Sequence, residues 1–351
     1  MEKTRLTSSG RVMEIELMKA IAIISMVLVH VLATSVLLDR NAPETFPVVW
    51  LIAFFGGFPS AGVFMFAMGW GNAFSARADA KSCLKRCFTL FAVGIFINLF
   101  TQYLRAVLCP REFGPLTDVF PYILATDIYF FAALANLYFA VMKKLESKNT
   151  LRIVISVLLV GICFCVNSLV PPESFTTGSK WADTILGLLI RVNDRSYFPF
   201  ISWIVFPVIG FGAASFLKKY GMKKFMITAA VTGAVALAVS LVSGQVLDIT
   251  SWGYYGLHPV KALEGYAIIV VEFFVATLIL KASKNRLPGF MLTMSKNVSY
   301  IYIVQWVLAS ALAPVLVMIT NVWINVVVGI AVLIASYFLG MLLKKTNLIR
   351  I

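Results

Sequence analysis

Long apolar runs separated by short polar ones set the pattern of this chain. A bilayer core about 30 Å thick needs roughly 20 mostly apolar residues per helical crossing. Ten segments meet that measure: 13–37, 59–76, 87–108, 121–142, 151–170, 200–217, 224–243, 261–281, 297–319 and 322–343. Charged or turn-forming stretches part them, such as Arg77 to Lys81, Glu146 to Asn149 and Lys284 to Pro288. Val48 to Gly57 is apolar but too short to cross, and Pro59 follows it; it reads as an interfacial or re-entrant lead into the second span. The longest interval, about 29 residues from Pro171 to Pro199, holds Trp181, Asp183, Arg191, Asp194 and Arg195. Its run from Ile185 to Ile190 suggests an amphipathic surface helix, or a lid over an outward-facing site. The pattern predicts an all-α polytopic integral membrane protein of about ten transmembrane helices, with residues 1–351 forming one membrane-embedded domain.

Composition narrows the class. The 351 residues are 60% hydrophobic and 13% charged, with a mean hydropathy of +0.90. Soluble domains carry roughly 25% charged residues, so a soluble enzyme, a disulfide scaffold and a disordered chain are all excluded. A net charge of +14 would suggest a polyanionic partner in a soluble protein, but the location of the charge removes that reading. Of the thirty basic residues, 23 fall on the side of the N-terminus. Only Arg40, Arg105, Arg111, Lys180, Arg191, Arg195 and Lys261 fall opposite. Cytoplasmic loops collect Lys and Arg, so both termini are expected in the cytoplasm, with the chain in the cell (plasma) membrane and no nucleic acid as partner. The first span lacks a small-residue cleavage site and opens on Glu14, Glu16 and Lys19, which marks an uncleaved helix rather than a signal peptide. The five cysteines lie mostly within spans and show no metal spacing with histidine, so they read as small hydrophobes and no metal is expected.

Ionisable side chains at membrane depth are costly and point to function. His30 lies near the outer end of the first span and Lys19 near its cytoplasmic end. Eleven residues separate them, about 16 Å of rise, and eleven steps of about 100° return them to within about 20° of one helix face. Lys19 alone could be a snorkelling interface residue and His30 alone a structural histidine, yet a neutral imidazole suits proton abstraction near neutral pH. Asp127 in the fourth span and Glu272 in the eighth could orient such a histidine or pair with a neighbouring helix. The amides Asn72, Asn98, Gln102, Asn136 and Gln305 read first as interhelical hydrogen-bonding groups.

The stretch from Glu16 to His30 resembles the first helix of the acyltransferase-3 family of membrane acyltransferases. That helix typically reads Leu-Asp-x-Leu-Arg-Gly-x-Ala, with an arginine and a histidine separated by ten residues. Glu16, Lys19, Ala20 and His30 occupy the acidic, arginine, glycine and histidine positions. Gly62 to Gly69 looks like the family's Phe-Phe-x-x-Ser-Gly second helix, and Leu84 to Phe91, running on to Gly94 and Asn98, is similar to its basic approach to the third. Phe198 to Trp203 is similar to a segment of the related heparan-α-glucosaminide N-acetyltransferase group. Asn297 to Trp306 looks like the Ser-Tyr-x-x-Tyr-x-x-His-Trp pattern of both, with Gln305 in place of histidine.

The resemblance implies an O- or N-acyltransferase. An acyl group, expected to be acetyl from acetyl-CoA, would pass from the cytoplasm to a hydroxyl or amine of an extracytoplasmic carbohydrate or cell-envelope acceptor. Lys19, Lys85 and Arg86 would hold the phosphates of acyl-CoA at the cytoplasmic mouth, and His30 would be general base, with Asp127 or Glu272 orienting it; a covalent acyl-histidine is a variant of the same scheme. The expected partners are thus the lipid bilayer, acyl-CoA and the acceptor, with homo-oligomerisation left open. Two rival readings fit the same chain: a transporter or flippase without covalent chemistry, and a degenerate family member serving as sensor or scaffold.

Overall fold

The computed structural model describes residues 12–35, 46–75, 79–116, 120–125, 127–169, 176–192, 196–243 and 257–349. Arg40, Arg77, Asp194, Arg195 and the terminal basic residues Lys3, Arg5, Arg11 and Arg350 lie outside them. Among the described residues every regular element is helical. The principal helices are α1 Met13–Thr34, α2 Phe46–Gly56, α3 Phe58–Phe74, α4 Ala80–Leu108, α5 Ile128–Lys144, α6 Asn149–Leu169, α7 Lys180–Leu186, α8 Val205–Val242, α9 Pro259–Ala282, α10 Gly289–Lys296, α11 Val298–Ala311 and α12 Val322–Lys345. Seven helical runs among the described residues are long and apolar enough to cross a membrane. Their outward faces carry side chains that water would not tolerate in such numbers: Ile153, Val157 and Leu158 on α6, and Trp323, Val327 and Phe338 on α12. The chain is an all-α polytopic membrane protein.

Three elements differ from the sequence expectation. Val48 to Gly57 is no separate interfacial lead: α2 runs into α3 as a 28-residue apolar stretch, Pro47–Phe74. Gly57 donates its N–H to Ala53 at 2.9 Å, and Ala61 donates to Gly57 at 3.1 Å, so the helical ladder continues. Pro59 lies in the first turn of α3, and the Phe55 carbonyl that its missing N–H leaves free accepts from the Ser60 hydroxyl at 2.7 Å. The expected sixth and seventh spans share one element, α8, whose 38 residues would reach about 57 Å if straight, nearly twice the bilayer core. Gly221 interrupts it at φ 80°, ψ 168°, a backbone state open to glycine, among Lys218, Lys219, Lys223 and Lys224. The expected fourth and ninth spans fall on α5 and α11, of 17 and 14 residues, shorter than the other membrane helices. The surface helix near Ile185 is α7, begun by the Ser179 cap and Asp183 and ending at Leu186.

The chain forms two compact units, interleaved in sequence. The first comprises Met1–Val63, Leu99–Phe120 and Glu272–Ile351. At one end of it, Lys19 reaches the Ser295 carbonyl at 3.1 Å and Tyr300 donates to the Ile349 carbonyl at 2.9 Å. The start of α1 and the end of α12 therefore lie together. At its other end, Leu32 and Val322 pack with Val48, Val49 and Ile52. Gly56 lets α2 close onto α1, since a Cβ there would meet the Ser25 carbonyl at 2.5 Å.

The second unit comprises Phe64–Asn98 and Pro121–Val271. The C-terminal end of α3 receives two lysines: Lys143 from the last turn of α5, 3.3 Å from the Ser75 carbonyl, and Lys218 from α8, 2.9 Å from the Ala73 carbonyl. Cations there satisfy carbonyls that have no helical partner. At the opposite end, Asn167 of α6 donates to the Leu257 carbonyl at 3.0 Å and accepts from the Ser202 hydroxyl at 2.8 Å.

Candidate functional site

The site begins on α1, whose 22 residues include no glycine or proline and so hold Lys19 and His30 in fixed helical register. The face carrying both meets the α10–α11 segment, Lys19 against Ser295 and His30 against Gln305. On α11, Tyr302, Gln305 and Trp306 stand three and four residues apart and so share one face. The Gln305 amide nitrogen lies 2.7 Å from His30 Nδ1. Trp306 packs on the imidazole with ring centroids 4.3 Å apart, and Tyr302 meets it edge-on at 6.0 Å. The Arg105 guanidinium of α4 covers the other partner of the stack, 5.1 Å from the Trp306 ring centroid. Gln305 is wholly inaccessible to solvent, and among the described residues it is the one hydrogen-bonding partner of the His30 imidazole.

The other sequence-predicted residues fall elsewhere. The Lys19 ammonium is held by Glu16 at 3.0 Å, with the Ser295 carbonyl on its other side. Glu16 in turn accepts from the Ser295 hydroxyl at 2.5 Å. Lys19 therefore ties α1 to α10, and its charge is already met by a carboxylate. Asp127, read from sequence as lying inside the fourth span, stands just before α5 as its N-cap. Its carboxylate accepts from the Ile128 N–H at 2.6 Å, the use aspartate most often finds at a helix start. Glu272, in the middle of α9, is half-buried and makes no hydrogen bond or ion pair among the described residues. Neither acid is bonded to His30. Lys85 and Arg86 stand exposed in the second turn of α4 with no ion pair among the described residues.

Of the amides expected to bond between helices, Asn98 donates outside its own helix, to the Ile123 and Ala125 carbonyls at 3.1 and 2.9 Å, and Gln305 meets His30 of α1, whereas Asn136 donates to Ala132 of its own helix at 2.7 Å. Trp306, Tyr302 and Arg105 were not singled out from sequence. The available signal was the Gln305-Trp306 pair closing the last family-like motif, whose partner across the fold no spacing rule supplies. None of the five cysteines forms a disulfide, and four of them are buried.

Outside the spans, Asp79 caps α4. Hydrogen bonds from the hydroxyl and backbone N–H of Ser82, the latter at 2.8 Å, hold its carboxyl below the ordinary carboxylate range.

A half-buried imidazole held by an amide and packed against two aromatic rings between apolar helices is an arrangement that can support proton exchange. No individual curated protein matches the chain at the level that would mark a relative. The family model of the catalytic region of heparan-α-glucosaminide N-acetyltransferase does match, over residues 11–249, which include α1 with Lys19 and His30 and extend through α8. With more than half of its length covered, the chain belongs to the heparan-α-glucosaminide N-acetyltransferase catalytic family.

Proposed function

We propose that this protein is a membrane acetyltransferase that moves an acetyl group from acetyl-CoA on the cytoplasmic side to a hydroxyl or amine of a carbohydrate or cell-envelope acceptor on the other side, with His30 as general base. Family membership supports the reaction type, and the observation that carries the residue assignment is the His30–Gln305 contact inside the Tyr302–Trp306 stack. The first-helix likeness to the acyltransferase-3 family supports the same choice of histidine. The basic bias supports a cell-membrane protein with both termini in the cytoplasm, on the side where the start of α1 meets the end of α12.

A base must present a lone pair to the acceptor. Gln305 provides the means: with its amide carbonyl turned to Nδ1, it accepts the Nδ1–H and leaves Nε2 free to take a proton. It fills the orienting role that Asp127 and Glu272 were expected to fill. For the donor, Lys85 and Arg86 fit the phosphates best, because they are exposed and have no carboxylate partner. Lys19 fits less well as a direct phosphate ligand, since Glu16 neutralises it; its part is to hold α1, and with it His30, against α10.

The test is transfer of label from [14C]acetyl-CoA to D-glucosamine and to cell-envelope saccharides by the purified protein in lipid nanodiscs. Labelled product is expected from the wild type and none above background from His30→Ala; mild alkali then separates ester from amide products. No transfer by the wild type, or undiminished transfer by His30→Ala, refutes the proposal.

A further inference from the structure

Beside His30 lie buried polar atoms that the scheme above leaves idle. Among the described residues the Trp306 Nε1–H has no hydrogen-bond partner, and the Gln305 amide meets His30 through its nitrogen while its oxygen has none. Buried hydrogen-bonding groups are nearly always satisfied, and each exception needs a reason; inside a membrane no water stands ready to supply one. Turning this amide over about its last bond gives its carbonyl to Nδ1–H, as a base at Nε2 requires, and makes the amide N–H the idle group. Two orphaned donors then flank one imidazole. A third polar atom belongs to the same layer. Gly340 of α12 packs on Ile301 of α11, 3.2 Å from its backbone nitrogen for a Cβ built there. Four residues along each of these antiparallel helices, about 6 Å, Ser336 stands level with Gln305, buried and with its hydroxyl also unpartnered.

Donors without acceptors call for an oxygen, and the donor substrate brings one, the thioester carbonyl. We propose that the Gln305 amide N–H and the Trp306 indole N–H together hold the thioester carbonyl oxygen and the negative charge that develops on it, making both residues catalytic. The inference rests on the acetyltransferase reading and names the second half of its site. The acceptor oxygen or nitrogen bonds to the thioester carbon while its proton passes to His30 Nε2. The carbonyl π pair moves onto the oxygen, where the two N–H groups meet it. When that pair returns, the C–S bond breaks, and the leaving sulfur takes the proton from the imidazolium, giving acetylated acceptor and free CoA thiol. The Arg105 cation on the indole face, 5.1 Å from its centroid, strengthens the field at the same point. Ser336 is a further donor within the layer.

Trp306→Phe keeps a ring under His30 and removes only the N–H; Gln305→Glu keeps an acceptor for Nδ1–H and removes the amide donor. Each is expected to lower kcat about 100-fold, in line with the loss of one such donor in other acyl-transfer sites, with the KM for acetyl-CoA held within about twofold. A purely structural role would move stability and KM instead. A binding readout keeps the inference testable should either variant fail to fold. On the wild type, a ketone analogue of acetyl-CoA with CH2 in place of sulfur is expected to bind at least tenfold more tightly than ethyl-CoA, which lacks the carbonyl. Equal binding of the two analogues, or wild-type kcat in both variants while His30→Ala is dead, overturns this inference and leaves the His30 reading standing. Activity in His30→Ala overturns the reading beneath it.

Discussion

Helix α3 crosses α8 at a pair of glycines, and the crossing makes a sharp prediction. A methyl group at Gly69 would strike the Pro207 carbonyl oxygen and lie 2.8 Å from the Phe211 nitrogen; one at Gly210 would strike the Phe66 carbonyl oxygen and lie 2.8 Å from its carbon. All of these obstacles are backbone, so no rotamer change relieves them and the two helices must move apart. Carbon needs about 3.5 Å of separation from such atoms, so the crossing has to open by roughly 1 Å. Overpacking of this kind costs about 1–3 kcal/mol, and for a unit of this size each kcal/mol shifts the melting temperature by roughly 2–4 °C.

The same helices supply their own controls. A methyl at Gly71 or Gly212, two residues away on each helix, meets nothing within 4 Å, and alanine favours a helix over glycine by up to about 1 kcal/mol. Gly69→Ala and Gly210→Ala are therefore expected to lower the melting temperature of the detergent-solubilised protein, while Gly71→Ala and Gly212→Ala leave it unchanged or raise it. Because one separation of the helices accommodates both methyls, the double variant Gly69→Ala with Gly210→Ala should lose less than the sum of the two single losses. Equal melting temperatures for Gly69→Ala and Gly71→Ala would refute the reasoning.

Further predictions follow from the charged groups. Lys19→Met strands the buried Glu16 and should destabilise by about 3 kcal/mol; Glu16→Gln in the same chain restores most of that loss in a thermal melt, whereas a phosphate-binding lysine would not be rescued. Lys85→Glu with Arg86→Glu should raise the KM for acetyl-CoA several-fold without changing kcat, and the effect should shrink in high salt because exposed charges are screened. Asp127→Ala removes a helix cap and is expected to cost about 1 kcal/mol of stability, with kcat for transfer to glucosamine unchanged; a loss of kcat in Asp127→Asn, which keeps the cap, would contradict the structural role. The Asp79 carboxyl sits below its ordinary range when folded, so the stabilisation it lends to α4 is present above the unfolded value and fades as pH falls through the folded one. Hydrogen exchange at the first turn of α4 should thus rise on acidification relative to the rest of the helix, and Asp79→Asn should remove that dependence.

The membrane helices were legible because their signal is local. A run of some 20 apolar residues between charged stretches needs no partner to be recognised, and the Lys218 to Lys224 cluster located a break that a helical assignment alone passes over at Gly221. The misread elements are those in which one residue carried two meanings. Pro59 follows an apolar run and reads as a stop, yet the Phe55 carbonyl it leaves free is taken up by the Ser60 hydroxyl. Asp127 sits in an apolar stretch and reads as a buried charge, yet it begins α5 and its carboxylate goes to the backbone. Which meaning holds depends on where the helix starts, and starts are set by hydrogen bonds that composition does not display.

The site divides along the same line. His30 was legible, since an ionisable group in an apolar run is conspicuous wherever it folds. Its partner was not: Gln305 stands 275 residues away, and an amide in a membrane helix most often bonds to whichever helix lies beside it. The first-helix motif was legible in position but not in role. Glu16 and Lys19 stand three apart, and the spacing that resembles a substrate-binding signature is also that of an i, i+3 ion pair, which the Ser295 hydroxyl and carbonyl complete. A lysine whose charge is met at 3.0 Å by a carboxylate has little left for a phosphate, so in the proposed scheme donor binding falls to Lys85 and Arg86, which have no ion pair among the described residues. Lys19 instead serves His30 through geometry: anchoring one end of α1 against α10 sets the level at which the imidazole, eleven residues on, meets Gln305 of α11. A substitution that slackens the anchor should therefore weaken the chemistry even though it touches neither acetyl group nor acceptor.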